Sequence, residues 1–248
     1  IFSSFNSINQ ENVSELRSIK KLLAGLPPFL ILAVLGWMSG YGNNFLIKYY
    51  LTSTDVAKFT FLLSLSSVLQ ILANSINQVW SAHFFQISKS VAHPKVDSRN
   101  RLVYRWLSIL IGIATAVLLL SYKYRLSIAG GNLIEYRSLD LELLFMCVGY
   151  IFLVPWWQCH NYFINYGMGR ELPGIFILTS VIGILVWVLL IIKYGSHGIY
   201  FGFALQMLIR SAGVVFKSGK HWDISIAWDG MLFGIVFAIV GYVISRSF

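Results

Sequence analysis

The sequence has little charge for its length. Asp, Glu, Lys and Arg together make up only 12% of the 248 residues, whereas hydrophobic residues make up 57%. Soluble domains average about 25% charged residues, and half of that charge cannot cover a globular surface. Aromatic residues make up 16% of the chain, which excludes an intrinsically disordered protein. The composition therefore predicts a protein that is embedded in a membrane.

Cysteine pairs and metal-binding patterns are also scarce. Cys147 and Cys159 lie in one apolar segment and point about 120° apart on a helix, which predicts neither a disulfide nor a metal pair. The five histidines never recur at ligand spacing. No phosphate-binding pattern surrounds Gly130-Gly131-Asn132, and no carboxylate pair lies in the middle of an apolar segment. The sequence thus predicts no enzyme, no metal and no cofactor.

Long apolar segments dominate the rest of the chain. A membrane-spanning helix needs about 20 mostly apolar residues, and seven segments are candidates, of which the last is short. They are Leu22–Tyr41, Phe59–Phe85, Leu102–Tyr122, Leu141–Phe163, Leu172–Ile192, Ile199–Phe216 and Met231–Ile244. We therefore predict an all-α, polytopic membrane helix bundle with six to seven transmembrane helices. The third, fifth and sixth segments carry few polar residues, so we expect them to be peripheral helices that face lipid.

The connections between segments are short, and none could hold a catalytic domain outside the membrane. We expect a cytoplasmic N-terminal segment over residues 1–21 and a six-helix bundle over residues 22–216. A cytoplasmic loop and a possible seventh transmembrane helix follow over residues 217–248. Because residue 1 is isoleucine and no signal peptide precedes the first apolar segment, we expect the chain to be the C-terminal part of a longer protein.

Positive charge gives the expected orientation. The chain has 19 Lys and Arg against 10 Asp and Glu, and many of the cations lie between Lys89 and Arg105. The positive-inside rule places that loop and the N-terminal segment in the cytoplasm, for a multi-pass protein of the cell inner membrane. The remaining cations are scattered between apolar segments, which argues against nucleic-acid binding.

The second segment carries amide side chains at membrane depth. Gln70, Asn74, Asn77 and Gln78 fall on one helical stripe, at spacings of 4, 7 and 8 residues from the first. Two interpretations are open, because such amides either hold neighbouring helices together or form the hydrophilic wall of a substrate path. One or two amides would suffice to join helices, so we favour the wall.

The fourth segment has a similar stripe, because Gln158, Asn161 and Asn165 stand at i, i+3 and i+7. Pro155 removes a backbone hydrogen bond just before them and is expected to kink the helix. A cavity wall and helix packing are both open for these amides. His160 lies off the stripe, and we favour a packing role for it over a proton relay.

Asn44 and Lys48 follow the first segment and lie one helical turn apart. Two interpretations are open for Lys48. Its side chain either extends to the membrane interface, or it places a cation opposite an anionic substrate. We count both residues among the candidates for a substrate path.

Two stretches of sequence resemble a known family. Residues 20–29 (KKLLAGLPPF) place a basic pair and Gly-Leu-Pro at the entry to a membrane helix. Residues 43–51 (NNFLIKYYL) and 54–59 (TDVAKF) then lead into a helix that ends in Asn77-Gln78-Val79-Trp80. This pattern resembles the seventh and eighth helices of O-antigen-type polysaccharide flippases, within the multidrug/oligosaccharidyl-lipid/polysaccharide exporter superfamily. The resemblance covers roughly Glu15–Phe216 and is strongest over Lys20–Phe85.

The resemblance implies a fold and a function. The chain would be the C-terminal bundle of a twelve-helix, V-shaped flippase, and its central cavity would face the missing N-terminal half of the same protein. It would turn a polyprenyl-pyrophosphate-linked oligosaccharide across the membrane by alternating access, for surface polysaccharide and lipopolysaccharide biosynthesis. Lys48 would attract the pyrophosphate, the amides would bind sugar hydroxyls, and membrane lipids would surround the bundle. Family members often carry an acidic residue and Arg where this chain has Asn43-Asn44, so no ion-coupling carboxylate is carried over.

Other functions stay open from the sequence. A multidrug exporter of the same superfamily would be expected to have acidic residues in its cavity, which the apolar segments here lack. An integral-membrane enzyme of glycan assembly, such as a polymerase, would be expected to have a longer outer loop than Lys123–Asp140. A structural membrane subunit that transports nothing is the remaining alternative.

Overall fold

The computed structural model describes residues 42–90, 92–128 and 138–247, together with Leu30, Ala33, Val34, Gly36 and Tyr136. Over this part of the chain every regular element is a helix. The helices are α1 (Asn43–Tyr50), α2 (Ser53–Ile87), α3 (His93–Ile128), α4 (Asp140–Phe152), α5 (Val154–Asn165), α6 (Leu172–Tyr194), α7 (Ser196–Ser218) and α8 (Trp228–Arg246), with a 3-10 turn at Gly169–Glu171 before α6. The predicted segment Leu22–Tyr41 lies outside the described residues apart from four single positions, and residues 1–21 lie outside them entirely.

Six helical stretches in the described part of the chain are long and apolar enough to cross a membrane. Helices α4 and α5 form one such stretch, Asp140–Asn165, and the other five are α2, α3, α6 with its preceding turn, α7 and α8. This confirms the predicted polytopic helix bundle. The short last segment of the sequence prediction belongs to a helix of 19 residues, which is long enough to span.

The spanning helices run alternately between two ends of the bundle. We call one end, at the α2–α3 connection, the 3-10 turn and the α7–α8 connection, the basic end because Lys89, Arg170 and Lys220 lie there. The other end, which we call the distal end, contains Gly195 between α6 and α7. Gly195 has a φ of +59° and reverses the chain in a single residue, a conformation that favours glycine.

Helices α4 and α5 form the centre of the bundle, and most of their residues are buried. The stretch is interrupted at Leu153, and Pro155 lies in the first turn of α5. A proline fits this position because the first backbone N–H groups of a helix have no partner within the helix. The interruption separates α4 from the amide stripe on α5.

Helix α7 packs against α4, α5 and α6. Our expectation that the sixth segment is a peripheral helix is therefore wrong, because α7 buries a face that includes Phe203, Met207 and Val214. Small residues allow this close approach. Gly202 leaves room for the ring of Trp187 on α6, whose indole N–H donates a hydrogen bond to the carbonyl oxygen of Ile199 at 2.6 Å.

Helices α3 and α8 lie side by side and run parallel. Glycines line their contact, and a Cβ at Gly112 of α3 would meet the backbone of Gly234 on α8. Asp229 at the start of α8 forms ion pairs with Arg101 and Arg105 of α3, at 3.3 and 3.2 Å. The opposite face of α8 exposes large apolar side chains, as expected for a surface that contacts lipid. Helix α8 is thus packed onto the bundle along its length.

Candidate functional site

The amide stripe of α2 lies at the edge of the bundle. Gln70 and Gln78 are exposed, while Asn74 and Asn77 are half-buried. Helix α2 also exposes apolar side chains, among them Ile71 and Val79, so much of its surface is not covered by the described helices. Exposed amides at membrane depth are costly in lipid and are expected to face water, substrate or another protein segment.

Helix α1 places its two candidate residues beside α2. The side-chain oxygen of Asn44 accepts a hydrogen bond from the hydroxyl of Thr60 on α2, at 3.3 Å. Lys48 lies one turn further along α1 and is exposed. Because residues at i and i+4 share a helix face, Lys48 lies on the side of α1 that carries Asn44.

The amides of α5 lie in a different environment from those of α2. Asn161 is completely buried, and its side chain joins three helices. Its Nδ2 donates to the Tyr104 hydroxyl of α3 at 2.8 Å, and its Oδ1 accepts from the Ser81 hydroxyl of α2 at 2.7 Å. The Tyr104 hydroxyl in turn donates to Asn77. We call these four side chains the Asn161 network.

Gln158 holds the segment that leads into α8. It is completely buried, its Nε2 donates to the carbonyl oxygen of Ser225 at 2.9 Å, and its Oε1 accepts from the N–H of Ala227 at 3.3 Å. The backbone carbonyl of Gln158 also accepts from Asn100, whose own oxygen accepts from the indole N–H of Trp80 at 2.8 Å. These bonds satisfy backbone groups that would otherwise be buried without partners.

Further hydrogen bonds join the helices at the basic end. Asn165 accepts from the hydroxyl of Ser88 at 2.9 Å. Asp97 accepts from the hydroxyl of Tyr162 at 2.8 Å and from the N–H of Ser225. In this structure Gln158 and Asn161 thus bind other helices and connections within the bundle, and neither is exposed on an open path. The exposed members of the predicted set are Lys48, Gln70 and Gln78.

The two environments predict different results for the same kind of substitution. Asn161→Leu removes the hydrogen bonds of Asn161 to Tyr104 and Ser81, whose hydroxyls keep only Asn77 as a partner among the described residues. We therefore expect it to lower the free energy of unfolding by about 1 kcal/mol. Gln78→Leu removes an exposed amide and is expected to leave stability unchanged. Thermal unfolding of the detergent-solubilised full-length protein measures both. Equal effects of the two variants would contradict the assignment of Asn161 to the interior.

Arg210 of α7 is a buried cation that the sequence did not single out. The residue is only 6% exposed, and its Nε and one terminal nitrogen are buried without a hydrogen-bond partner in the described part of the chain. Its guanidinium carbon lies 4.2 Å from the centre of the Phe176 ring on α6, a cation–π contact. Among the described residues, no carboxylate forms an ion pair with Arg210. Such a cation inside a membrane bundle is a candidate for a functional site.

Other polar groups lie on the same seam between α6 and α7. Gln206 precedes Arg210 by one turn, packs against Gly183 and has a buried Nε2 without a partner. Its Oε1 accepts from the side chain of Asn43 at 3.4 Å. Ser180 of α6 has a buried hydroxyl that also lacks a partner. Donors exceed acceptors among these side chains, a balance that favours an anion over a cation as their partner.

The sequence did contain a signal for this cluster. Gln206 and Arg210 stand at i and i+4, a spacing that places two polar side chains on the same face of a helix. In the sequence, Arg210 lies six residues before the end of the predicted segment Ile199–Phe216, where a cation ordinarily extends to the interface. The helix extends to Ser218, which places Arg210 eight residues from its end, about 12 Å along the axis. This depth is too great for an ordinary interfacial arginine at the helix terminus.

No protein-family model matches this chain, and comparisons with curated proteins and with solved structures give no significant match.

Proposed function

We propose that this chain is the C-terminal bundle of a transporter that flips polyprenyl-pyrophosphate-linked oligosaccharide repeat units across the cytoplasmic membrane. The transport cycle is alternating access, in which this bundle rocks against a second bundle. The product serves surface polysaccharide assembly of the O-antigen type. The proposal rests on the sequence resemblance to flippases and on the exposed polar face of α2.

The face of α2 is the observation that carries the proposal. Gln70 and Gln78 are exposed on a helix of membrane-spanning length, with the half-buried Asn74 between them in sequence. Amides both donate and accept hydrogen bonds, as sugar hydroxyls do. A second bundle facing α2 would enclose a hydrophilic passage between the two, and lipid would not contact the amides.

The charge of the bundle supports an anionic substrate. Arg210 is buried without an ion-pair partner among the described residues, and Lys48 is exposed beside α2. A pyrophosphate is a strong acceptor for a guanidinium, with which it forms paired hydrogen bonds. This favours the flippase over an exporter of cationic drugs, for which a buried unpaired arginine would be repulsive.

Replacing the exposed amides of α2 with leucine tests whether the polar face takes part in transport. The double variant Gln70→Leu/Gln78→Leu is expected to reduce surface polysaccharide at least about tenfold, because each lost hydrogen bond weakens glycan binding during the cycle. The measurement is surface polymer in cells that produce the variant full-length protein, with membrane protein levels quantified in parallel. Gln86→Leu makes the same chemical change at an exposed position off the stripe and should export normally. Normal export by the double variant would contradict the proposal.

A further inference from the structure

A cavity at the distal end of the bundle lies away from the polar face of α2. It is formed between α4, α6 and α7 and has a volume of about 280 Å³. Its walls are mainly apolar and include Phe145, Leu190, Tyr194 and Phe201. Phe145 and Phe201 meet edge to face with their ring centres 5.6 Å apart. The cavity is therefore a preformed hollow with aromatic walls.

Among the described residues, Glu142 is the carboxylate that lines this cavity. Glu142 of α4 is 6% exposed, and its Oε2 is buried without a hydrogen-bond partner. Its Oε1 lies 3.1 Å from Nδ1 of His197, whose side chain is 77% exposed. This contact engages Oε1 of Glu142, and the exposed imidazole otherwise faces away from the bundle interior. Glu142 therefore lines the cavity with a carboxylate whose second oxygen, Oε2, is bonded by no described group.

Within the described ranges, the other charged groups nearby do not compensate Glu142. Asp140 is also acidic and buried, and its Oδ2 lies 4.0 Å from Nε of Arg246. Lys193 places its ammonium 5.2 Å from the centre of the Tyr194 ring and forms no ion pair with Glu142. A cation placed beside a buried carboxylate offsets the cost of removing its charge from water. The cavity next to it has room for a cation.

We propose that this cavity binds a primary ammonium group carried on a small apolar body. The ammonium would donate to the carboxylate of Glu142, while the aromatic walls contact the apolar part and interact with the charge. A bare metal ion fits less well, because the described residues contain no group of three metal-ligating side chains. A volume of about 280 Å³ suits a small amine.

Two sources could supply this chemistry, because apolar side chains such as Leu141 and Phe201 are exposed beside the cavity. One is the headgroup amine of an ethanolamine phospholipid in the surrounding membrane. The other is a free amphipathic amine that partitions into the membrane interface. Both present the same ammonium to Glu142, and the composition of the bilayer distinguishes them.

The test uses the full-length protein in nanodiscs made of phosphatidylglycerol alone, with phenethylamine as the probe. We expect saturable binding by isothermal titration calorimetry, and at least about tenfold weaker binding to Glu142→Gln. Glu171→Gln removes a carboxylate that pairs with Lys217 at the basic end, and should bind as the parent protein does. Phenethyl alcohol, which lacks the charge, should bind at least about tenfold more weakly.

Nanodiscs that also contain phosphatidylethanolamine separate the two sources. Weaker apparent binding of phenethylamine in these nanodiscs assigns the cavity to the lipid headgroup, and unchanged binding assigns it to free amines. The proposal is overturned if phenethylamine does not bind saturably in phosphatidylglycerol. It is also overturned if the alcohol binds equally well, or if Glu142→Gln binds as tightly as the parent while remaining folded.

Discussion

Arg210→Met is expected to abolish glycan export while making the bundle harder to unfold. Arg210 is buried, and its guanidinium has no carboxylate partner among the described residues. An unpaired charge in this environment destabilises the fold by several kcal/mol, and an apolar side chain of similar volume removes that cost. We expect the free energy of unfolding to rise by about 1 to 4 kcal/mol. Export should fall at least about tenfold, because the cation that we propose to bind the pyrophosphate is lost.

Two further variants serve as comparisons for Arg210→Met. Arg210→Lys keeps the charge but loses the planar pair of donors, so export should be intermediate. Arg170→Met removes an exposed arginine from the 3-10 turn and should change neither export nor stability. Surface polysaccharide in cells and thermal unfolding in detergent are the two measurements. Loss of folded Arg210→Met protein would show instead that the arginine stabilises the helices, and normal export would remove it from the transport path.

Gly112→Ala is expected to destabilise the bundle by about 3 kcal/mol. A Cβ at this position would meet the backbone carbonyl oxygen of Gly234, and a backbone atom cannot move aside as a side chain can. Helices α3 and α8 would have to separate, which weakens their packing and the ion pairs of Asp229 with Arg101 and Arg105. Thermal unfolding of the full-length protein in detergent measures the loss.

The same substitution at Gly174 of α6 is the matched control. No heavy atom lies within 4 Å of a Cβ built at Gly174. Alanine is favoured over glycine in a helix by about 1 kcal/mol, so Gly174→Ala should leave stability unchanged or raise it slightly. If both alanine variants lose stability, or if neither does, the close backbone contact between α3 and α8 is not what excludes a side chain at Gly112.

The length and composition of the apolar segments were enough to predict the helices. Six predicted segments correspond to helices of spanning length, since a run of about 20 apolar residues leaves the chain few other structures in a membrane. The interruption near Pro155 follows from the missing N–H of proline. The spanning helices and the interruption near Pro155 could be predicted because each depends only on residues that are close together in the sequence.

The environment of each polar stripe was not predictable in the same way. Gln70 and Gln78 on α2 and Gln158 and Asn161 on α5 form similar patterns in sequence, yet the first pair is exposed and the second is completely buried. Periodicity identifies which residues share a helix face, but the neighbouring helices decide what covers that face. Helix α2 lies at the edge of the bundle, whereas α5 lies at its centre.

The two charged sites were missed for a related reason. Arg210 and Glu142 lie close to the ends of predicted segments, where a charged residue ordinarily reaches the interface. In the fold, α7 extends beyond the predicted end and packs against three other helices, so Arg210 is buried. Glu142 lies in the first turn of α4, where α7 covers it and His197 contacts it. Burial of this kind depends on contacts between distant segments.

The most direct test of the proposed flippase is the location of lipid-linked repeat units after deletion of the full-length gene in its native host. Surface polysaccharide and the leaflet that holds the repeat units would be measured together, with the intact gene supplied back as the control. We predict loss of surface polymer, with single repeat units retained on the cytoplasmic leaflet. Unpolymerised repeat units on the outer leaflet would indicate a polymerase instead, and unchanged surface polysaccharide would contradict a role in glycan export.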